Sequence, residues 1–150
     1  MTDLARRFIK TALLFLVLGL LLGAFMLVRR ELYGEWPAPY LVSAHTHAVF
    51  IGFVLFMILG VALWLFPKPL AEDRRYRPGR IITVYWLLLG GTLVRFGGEL
   101  GQAFGASMVL TGLTLAGGLA QVAALLLYIW TMWLRIRPTR RQLRGGQDES

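Results

Sequence analysis

A chain of 150 residues in which 57% are hydrophobic, with a mean hydropathy of +0.61, carries more apolar surface than a water-soluble domain of this size can bury. Its net charge of +8 is clustered beside the apolar segments, which argues against nucleic-acid binding and for a membrane topology signal. The chain has no cysteine, which excludes disulfides, iron–sulfur clusters, thiolate metal sites and covalently attached haem of the c type.

Four apolar segments are predicted to be membrane-spanning helices, because each is close to the ~20 residues that cross about 30 Å of hydrocarbon. Proline marks two boundaries: Pro37 and Pro39 suit a helix entrance, whereas a helix cannot continue through Pro67. The sequence therefore predicts an all-α, integral membrane four-helix bundle that forms one domain over residues 1–136. The predicted helices cover about residues 8–28, 40–66, 81–104 and 108–133.

Arginine and lysine cluster before the first predicted helix, between the second and third, and after the fourth. By the positive-inside rule, this bias predicts a multi-pass protein of the cell inner membrane or plasma membrane with both termini cytoplasmic. Anionic lipids are expected to contact these clusters. The basic, polar tail over residues 137–150 is predicted to be partly disordered.

The only two histidines, His45 and His47, lie near the start of the second apolar segment. Ionisable side chains inside a membrane helix are energetically expensive and mark candidate functional sites, and imidazole is a common ligand of iron, copper and zinc. Residues two apart on an α-helix point about 200° apart, so these rings cannot readily hold the same ion. Each ring therefore needs a partner of its own.

Three interpretations of the histidine pair follow from this geometry. One histidine binds a metal while the other hydrogen-bonds a carbonyl or faces water, or neither binds a metal and both are polar anchors near the interface. Alternatively, His45 of one chain meets His47 of another copy, which accounts for both residues. This last interpretation predicts a closed ring of protomers whose second helices line the centre.

The sequence from His45 to Phe53, His-Thr-His-Ala-Val-Phe-Ile-Gly-Phe, is followed by Gly60, Trp64 and Pro67. This segment resembles the second helix of the haem–copper oxidase superfamily, the catalytic subunits of terminal oxidases and nitric-oxide reductases. His45 matches the position of an axial ligand of the low-spin haem, whereas His47 departs from the usual Asn. The His-x-His pattern itself resembles the tenth helix of the family, whose two histidines serve two different haems.

The resemblance implies an assembly, because the family's catalytic subunits have about twelve helices in three arcs of four and this chain has one arc. Three copies would rebuild the ring, so the resemblance implies a homotrimer with haem b between protomers, ligated by His45 and His47. Bis-histidine iron supports electron transfer near the outer face, to and from redox partners that the sequence does not identify. The family's three-histidine copper site has no match here, so reduction of oxygen or nitric oxide does not carry over.

The sequence is also compatible with two other functions. Histidines gathered around a symmetry axis would form a copper or zinc site without porphyrin. A structural or assembly subunit would use its histidines for no cofactor at all.

Arg95 and Glu99 are four residues apart on the third predicted helix and therefore share a face. Their simplest role is an ion pair near the membrane interface. If haem binds, Arg95 is expected to pair with a propionate, oriented by Glu99, and Tyr40 is expected to border the haem edge.

Overall fold

The computed structural model describes residues 2–67 and 76–136, and the predicted tail over residues 137–150 lies outside them. The described chain is all-helical, and it contains four helices long and apolar enough to cross a membrane, as the sequence predicts. These helices are α1 (Asp3–Tyr33), α2 (Pro39–Leu65), α3 (Pro78–Phe104) and α4 (Met108–Met132), the last followed by a 3₁₀ turn at Trp133–Arg135.

Capping residues set the ends of α1, which extends past the predicted segment 8–28 on both sides. At its start the Thr2 hydroxyl accepts a hydrogen bond from the amide of Ala5. At its end Gly34 has φ +67°, and its amide donates to the carbonyl of Arg30 at 3.1 Å. Glycine adopts this left-handed conformation without strain, so α1 ends at Gly34, beyond the end of the apolar segment.

The second helix contains a π-helical stretch, Ala48–Leu55, directly after His47, whereas the sequence predicted an uninterrupted α-helix. The buried positions Ala44, Ala48, Gly52 and Phe56 follow one another at intervals of four. In an α-helix each such step drifts by about 40°, because a turn takes 3.6 residues. The wider i→i+5 turns reduce this drift and keep the four residues on one buried face.

The apolar core lies at the end of the bundle where α1 begins and α4 ends. There the rings of Phe8, Phe56 and Tyr85, one from each of the first three helices, lie 5.1–6.1 Å apart by centroid. The Tyr128 hydroxyl joins α4 to α2 by donating to the carbonyl of Leu59 at 2.9 Å. The main helix contacts follow chain order, with α1 on α2, α2 on α3, and α3 on α4.

Arg135, which belongs to the basic cluster after the fourth predicted helix, caps the end of α2. It is 4% exposed, and its guanidinium donates to the carbonyls of Pro67 at 2.8 Å and Phe66 at 2.9 Å. Phe66 and Pro67 directly follow the end of α2 at Leu65. The guanidinium also donates at 3.3 Å to the carbonyl of Leu63 in the last turn, where intrahelical donors are missing. The positive charge also lies at the negative end of the helix dipole.

We expect Arg135→Gln to lower the free energy of unfolding by about 3 kcal/mol, because it leaves buried carbonyls without charged donors. Unfolding of the purified protein in mixed micelles, followed by circular dichroism, measures this change. Arg6→Gln is the matched control, since Arg6 lies near the same end and its ion pair with Asp3, at 3.7 Å, is exposed. Equal stability of the two variants would contradict the capping role.

Candidate functional site

The imidazole of His45 faces α1. Its Nδ1 lies 3.0 Å from the carbonyl oxygen of Gly19, and since a carbonyl only accepts, Nδ1 carries the proton in this contact. The ring lies directly over Gly23, where an added Cβ would come within 2.9 Å of Cε1. The small residue thus gives the ring its space, and Nε2 is the ring nitrogen left to accept or to ligate.

The imidazole of His47 faces α3. Its Nδ1 lies 3.0 Å from Oε2 of Glu99, and the hydroxyl of Ser43 is 3.3 Å from the same nitrogen. The carboxylate accepts a hydrogen bond from Nδ1–H, and in the neutral imidazole Nε2 is then the acceptor. The two histidines therefore contact different helices, in agreement with the ~200° separation expected for residues two apart.

Glu99 is the centre of a buried polar network at the histidine end of the bundle, the end opposite the core. It is 1% exposed, and its Oε1 accepts from Ser43 at 2.9 Å and from Arg95 Nε at 3.1 Å. Arg95 continues to Gln121 on α4, whose amide donates to Thr92 at 3.2 Å. We call the following residues the Glu99 network: Ser43, His47, Thr92, Arg95, Glu99 and Gln121.

Charge balance explains how this network is tolerated inside an apolar bundle. The guanidinium of Arg95 offsets the charge of the Glu99 carboxylate, and neutral side chains add further hydrogen bonds, from Ser43 to Glu99 and from Arg95 to Gln121. A buried charge without such partners would destabilise the fold by several kcal/mol. The network therefore fixes the position of His47 through α2, α3 and α4 together.

Two grooves border the first turns of α2. The His45 groove, about 420 Å³, is lined by residues that include Gly23, Met26, Arg30, Trp36 and His45. The Arg95 groove, about 370 Å³, lies on the α4 side, and residues that line it include Tyr40, Arg95, Gln102, Thr114 and Gly118. Each groove thus combines an arginine with aromatic or small residues.

The structure brings three of the predicted site residues into direct contact, namely His47, Arg95 and Glu99. Tyr40 borders the Arg95 groove on the same side, whereas His45 lies apart, against α1. The Arg95–Glu99 contact is an i,i+4 ion pair at 3.1 Å on α3. The sequence analysis did not predict the Glu99–His47 contact or the hydrogen bond from Ser43 to Glu99. The available signal was the position of Ser43 four residues before His47, on the same face of the helix.

The donor set limits what one chain can bind. Within residues 2–67 and 76–136, no group of three His, Cys, Asp or Glu side chains is placed to hold a metal ion. Each face of α2 offers instead a single imidazole Nε2 whose partner nitrogen is held by a hydrogen bond. Metal-binding histidines show this arrangement, and it suits a group that needs only one or two protein ligands, such as haem.

Comparison of the chain with protein-family models, with curated proteins and with solved structures finds no match.

Proposed function

We propose that the chain is a membrane haem b protein of the haem–copper oxidase type that transfers electrons near the outer face of the membrane. In this proposal it assembles as a homotrimer, with each haem between His45 of one protomer and His47 of the next. The observation that carries the proposal is the shared state of the two histidines. Each donates a hydrogen bond from Nδ1–H, His45 to the carbonyl of Gly19 and His47 to the carboxylate of Glu99, and each leaves Nε2 for a ligand.

The oxidase-like assembly is supported by the order in which the helices contact one another. Helices that follow one another in the chain are also neighbours in space, as expected for one four-helix arc of a larger ring. The two histidines face opposite sides of α2, so a ring of copies would present one of them to each neighbouring interface. Such head-to-tail contacts close into a ring when the rotation allows it.

The Arg95 groove is a second support for assembly. Arg95, with its side chain 28% exposed, borders this groove together with Gln102 and Thr114, which hydrogen-bond each other at 2.8 Å. Polar groups that face lipid are unfavourable, and neighbouring helices usually cover them. A second copy of the chain would cover this groove and bring its own His45 face towards His47.

The roles of the site residues follow from their chemistry. His45 and His47 would hold the group by Nε2, Arg95 would donate to a propionate carboxylate, and Tyr40 would border the site. When bound, haem supplies one-electron chemistry, and two histidine ligands leave no open iron position for a substrate. Arg95 would act while still held by Glu99 and Gln121, which restricts its motion.

The proposal is tested by oxidised and reduced absorption spectra, together with the mass of the purified protein in detergent, after expression with an adequate haem supply. We expect a Soret band, a low-spin spectrum, one haem per chain and a mass three times the 16.9 kDa of the chain. A folded protein without a Soret band would overturn the haem function, and a monomeric haem protein would overturn the shared site.

A copper or zinc site is the second candidate function. The Glu99–His47 hydrogen bond favours it, because a carboxylate that holds a histidine is also common behind zinc ligands. Three His47 side chains around a symmetry axis would supply enough nitrogen ligands. Stoichiometric copper or zinc in a protein without porphyrin would support this function over the haem protein.

A further inference from the structure

The two histidines differ in one respect that their similar geometry conceals. Both Nδ1 atoms lie 3.0 Å from an oxygen, but the acceptor of His45 is the neutral carbonyl of Gly19 and that of His47 is the carboxylate of Glu99. This carboxylate is 1% exposed, so water screens its charge poorly. The contact at His47 is therefore the stronger hydrogen bond.

The two oxygens of Glu99 have separate partners. Oε1 accepts from Ser43 and Arg95, whereas Oε2 accepts from His47. Arg95 and Ser43 thus fix one oxygen and direct the other at the imidazole. A carboxylate that served only Arg95 would have no need of this orientation, since an i,i+4 pair on α3 can form without contact to α2.

We infer that Glu99 is a positioning residue that acts through His47, makes His47 the more electron-rich ligand of the pair, and lowers the reduction potential of the centre that His47 binds. An acceptor with negative charge draws the Nδ1 proton outwards and increases the electron density that Nε2 can donate. A more electron-rich ligand stabilises the oxidised metal more than the reduced metal. The hydrogen-bond difference stands without a cofactor, while the redox effect rests on the proposed haem function.

Glu99→Gln tests the redox effect, because glutamine keeps the size and a hydrogen-bond acceptor but removes the charge. In the haem-loaded protein we expect the ratio of reduced to oxidised haem at a fixed potential to rise at least tenfold. For a one-electron couple this is a rise of about 59 mV in a potentiometric titration. Glu31→Gln is the matched control, since it removes the same charge from an exposed ion pair with Arg30, and its ratio should change less than twofold.

A Glu99→Gln protein that binds haem normally and titrates like Glu31→Gln would overturn the redox effect. This outcome is distinct from failure of the proposed function, in which the wild-type protein itself binds no haem.

A measurement on the haem-free wild-type protein decides the hydrogen-bond difference, whether or not Glu99→Gln folds. In proton NMR we expect the Nδ1–H resonance of His47 to lie further downfield than that of His45, because its acceptor is charged. The chain has only two histidines, so His45→Asn leaves the His47 signal alone and His47→Asn leaves that of His45. Coincident resonances, or a His45 signal further downfield, would overturn the inference.

Discussion

Mixed trimers of His45→Ala and His47→Ala chains are expected to bind haem with two histidine ligands, whereas trimers of either variant alone are not. In the proposed ring each site takes His45 from one protomer and His47 from its neighbour, so a site is complete when an intact His45 faces an intact His47. A head-to-tail trimer that contains both variants completes one of its three interfaces, whichever variant is present twice. After co-expression and purification through two different affinity tags, which removes the uniform trimers, the low-spin haem content should therefore be about a third of the wild-type value.

Each single variant sets the baseline for this experiment. We expect His45→Ala or His47→Ala alone to lose at least tenfold of the low-spin spectrum, since every site in a uniform ring then lacks one ligand. Thr46→Ala is the matched control: its hydroxyl is exposed and donates to the carbonyl of Val42 in its own helix, so the spectrum should not change.

The possible outcomes separate the interpretations of the histidine pair. Mixed trimers with no more haem than the single variants would contradict a site shared between chains. A single variant with the full low-spin spectrum would show that the deleted histidine is not a ligand. The structure provides the reason to expect sharing, because His45 contacts α1 and His47 contacts α3, so one chain cannot direct both rings at the same ion.

Hydropathy and proline positions predicted the four long apolar helices, because membrane-length apolar segments and their proline boundaries are local features of the sequence. Helical periodicity likewise predicted that His45 and His47 point apart and that Arg95 and Glu99 share a face. These predictions need only residues that are close in sequence and a regular helix.

Other features depend on how the helices are placed, and local patterns do not contain them. The Glu99–His47 contact requires α2 and α3 to be in one particular register. The π-helical stretch has no proline or charge to mark it, and only the four-residue spacing of its buried side chains signals it. Arg135 belongs to a basic cluster by composition, but its burial under the end of α2 depends on where α4 ends.

Two glycines, Gly91 and Gly117, allow a close backbone contact between α3 and α4. An added Cβ on Gly117 would lie 2.6 Å from the backbone nitrogen of Arg95 and 2.7 Å from the carbonyl oxygen of Gly91. Backbone atoms of a packed helix cannot move aside as a flexible side chain does, so the helices would have to separate. We expect Gly117→Ala to lower the free energy of unfolding by about 2–3 kcal/mol.

Gly112→Ala on the same helix is the matched control, because an added Cβ there meets no atom within 4 Å. Alanine is also the better helix former, so this variant should be as stable as the wild type or more stable by up to about 1 kcal/mol. Unfolding in mixed micelles compares the two variants under identical conditions. Equal unfolding curves would contradict the view that close contact at Gly117 holds α3 against α4.

Gly117→Ala also tests whether the contact between α3 and α4 supports the site. The atom closest to the added Cβ belongs to Arg95, which holds Glu99 at 3.1 Å and reaches Gln121 on α4 at 3.3 Å. Separation of the helices should therefore loosen the Glu99 network and move the Nδ1–H resonance of His47 upfield, while that of His45 stays in place against α1. Loss of stability with both resonances unchanged would mean that α2 and α3 alone hold His47 and that α4 contributes only to stability.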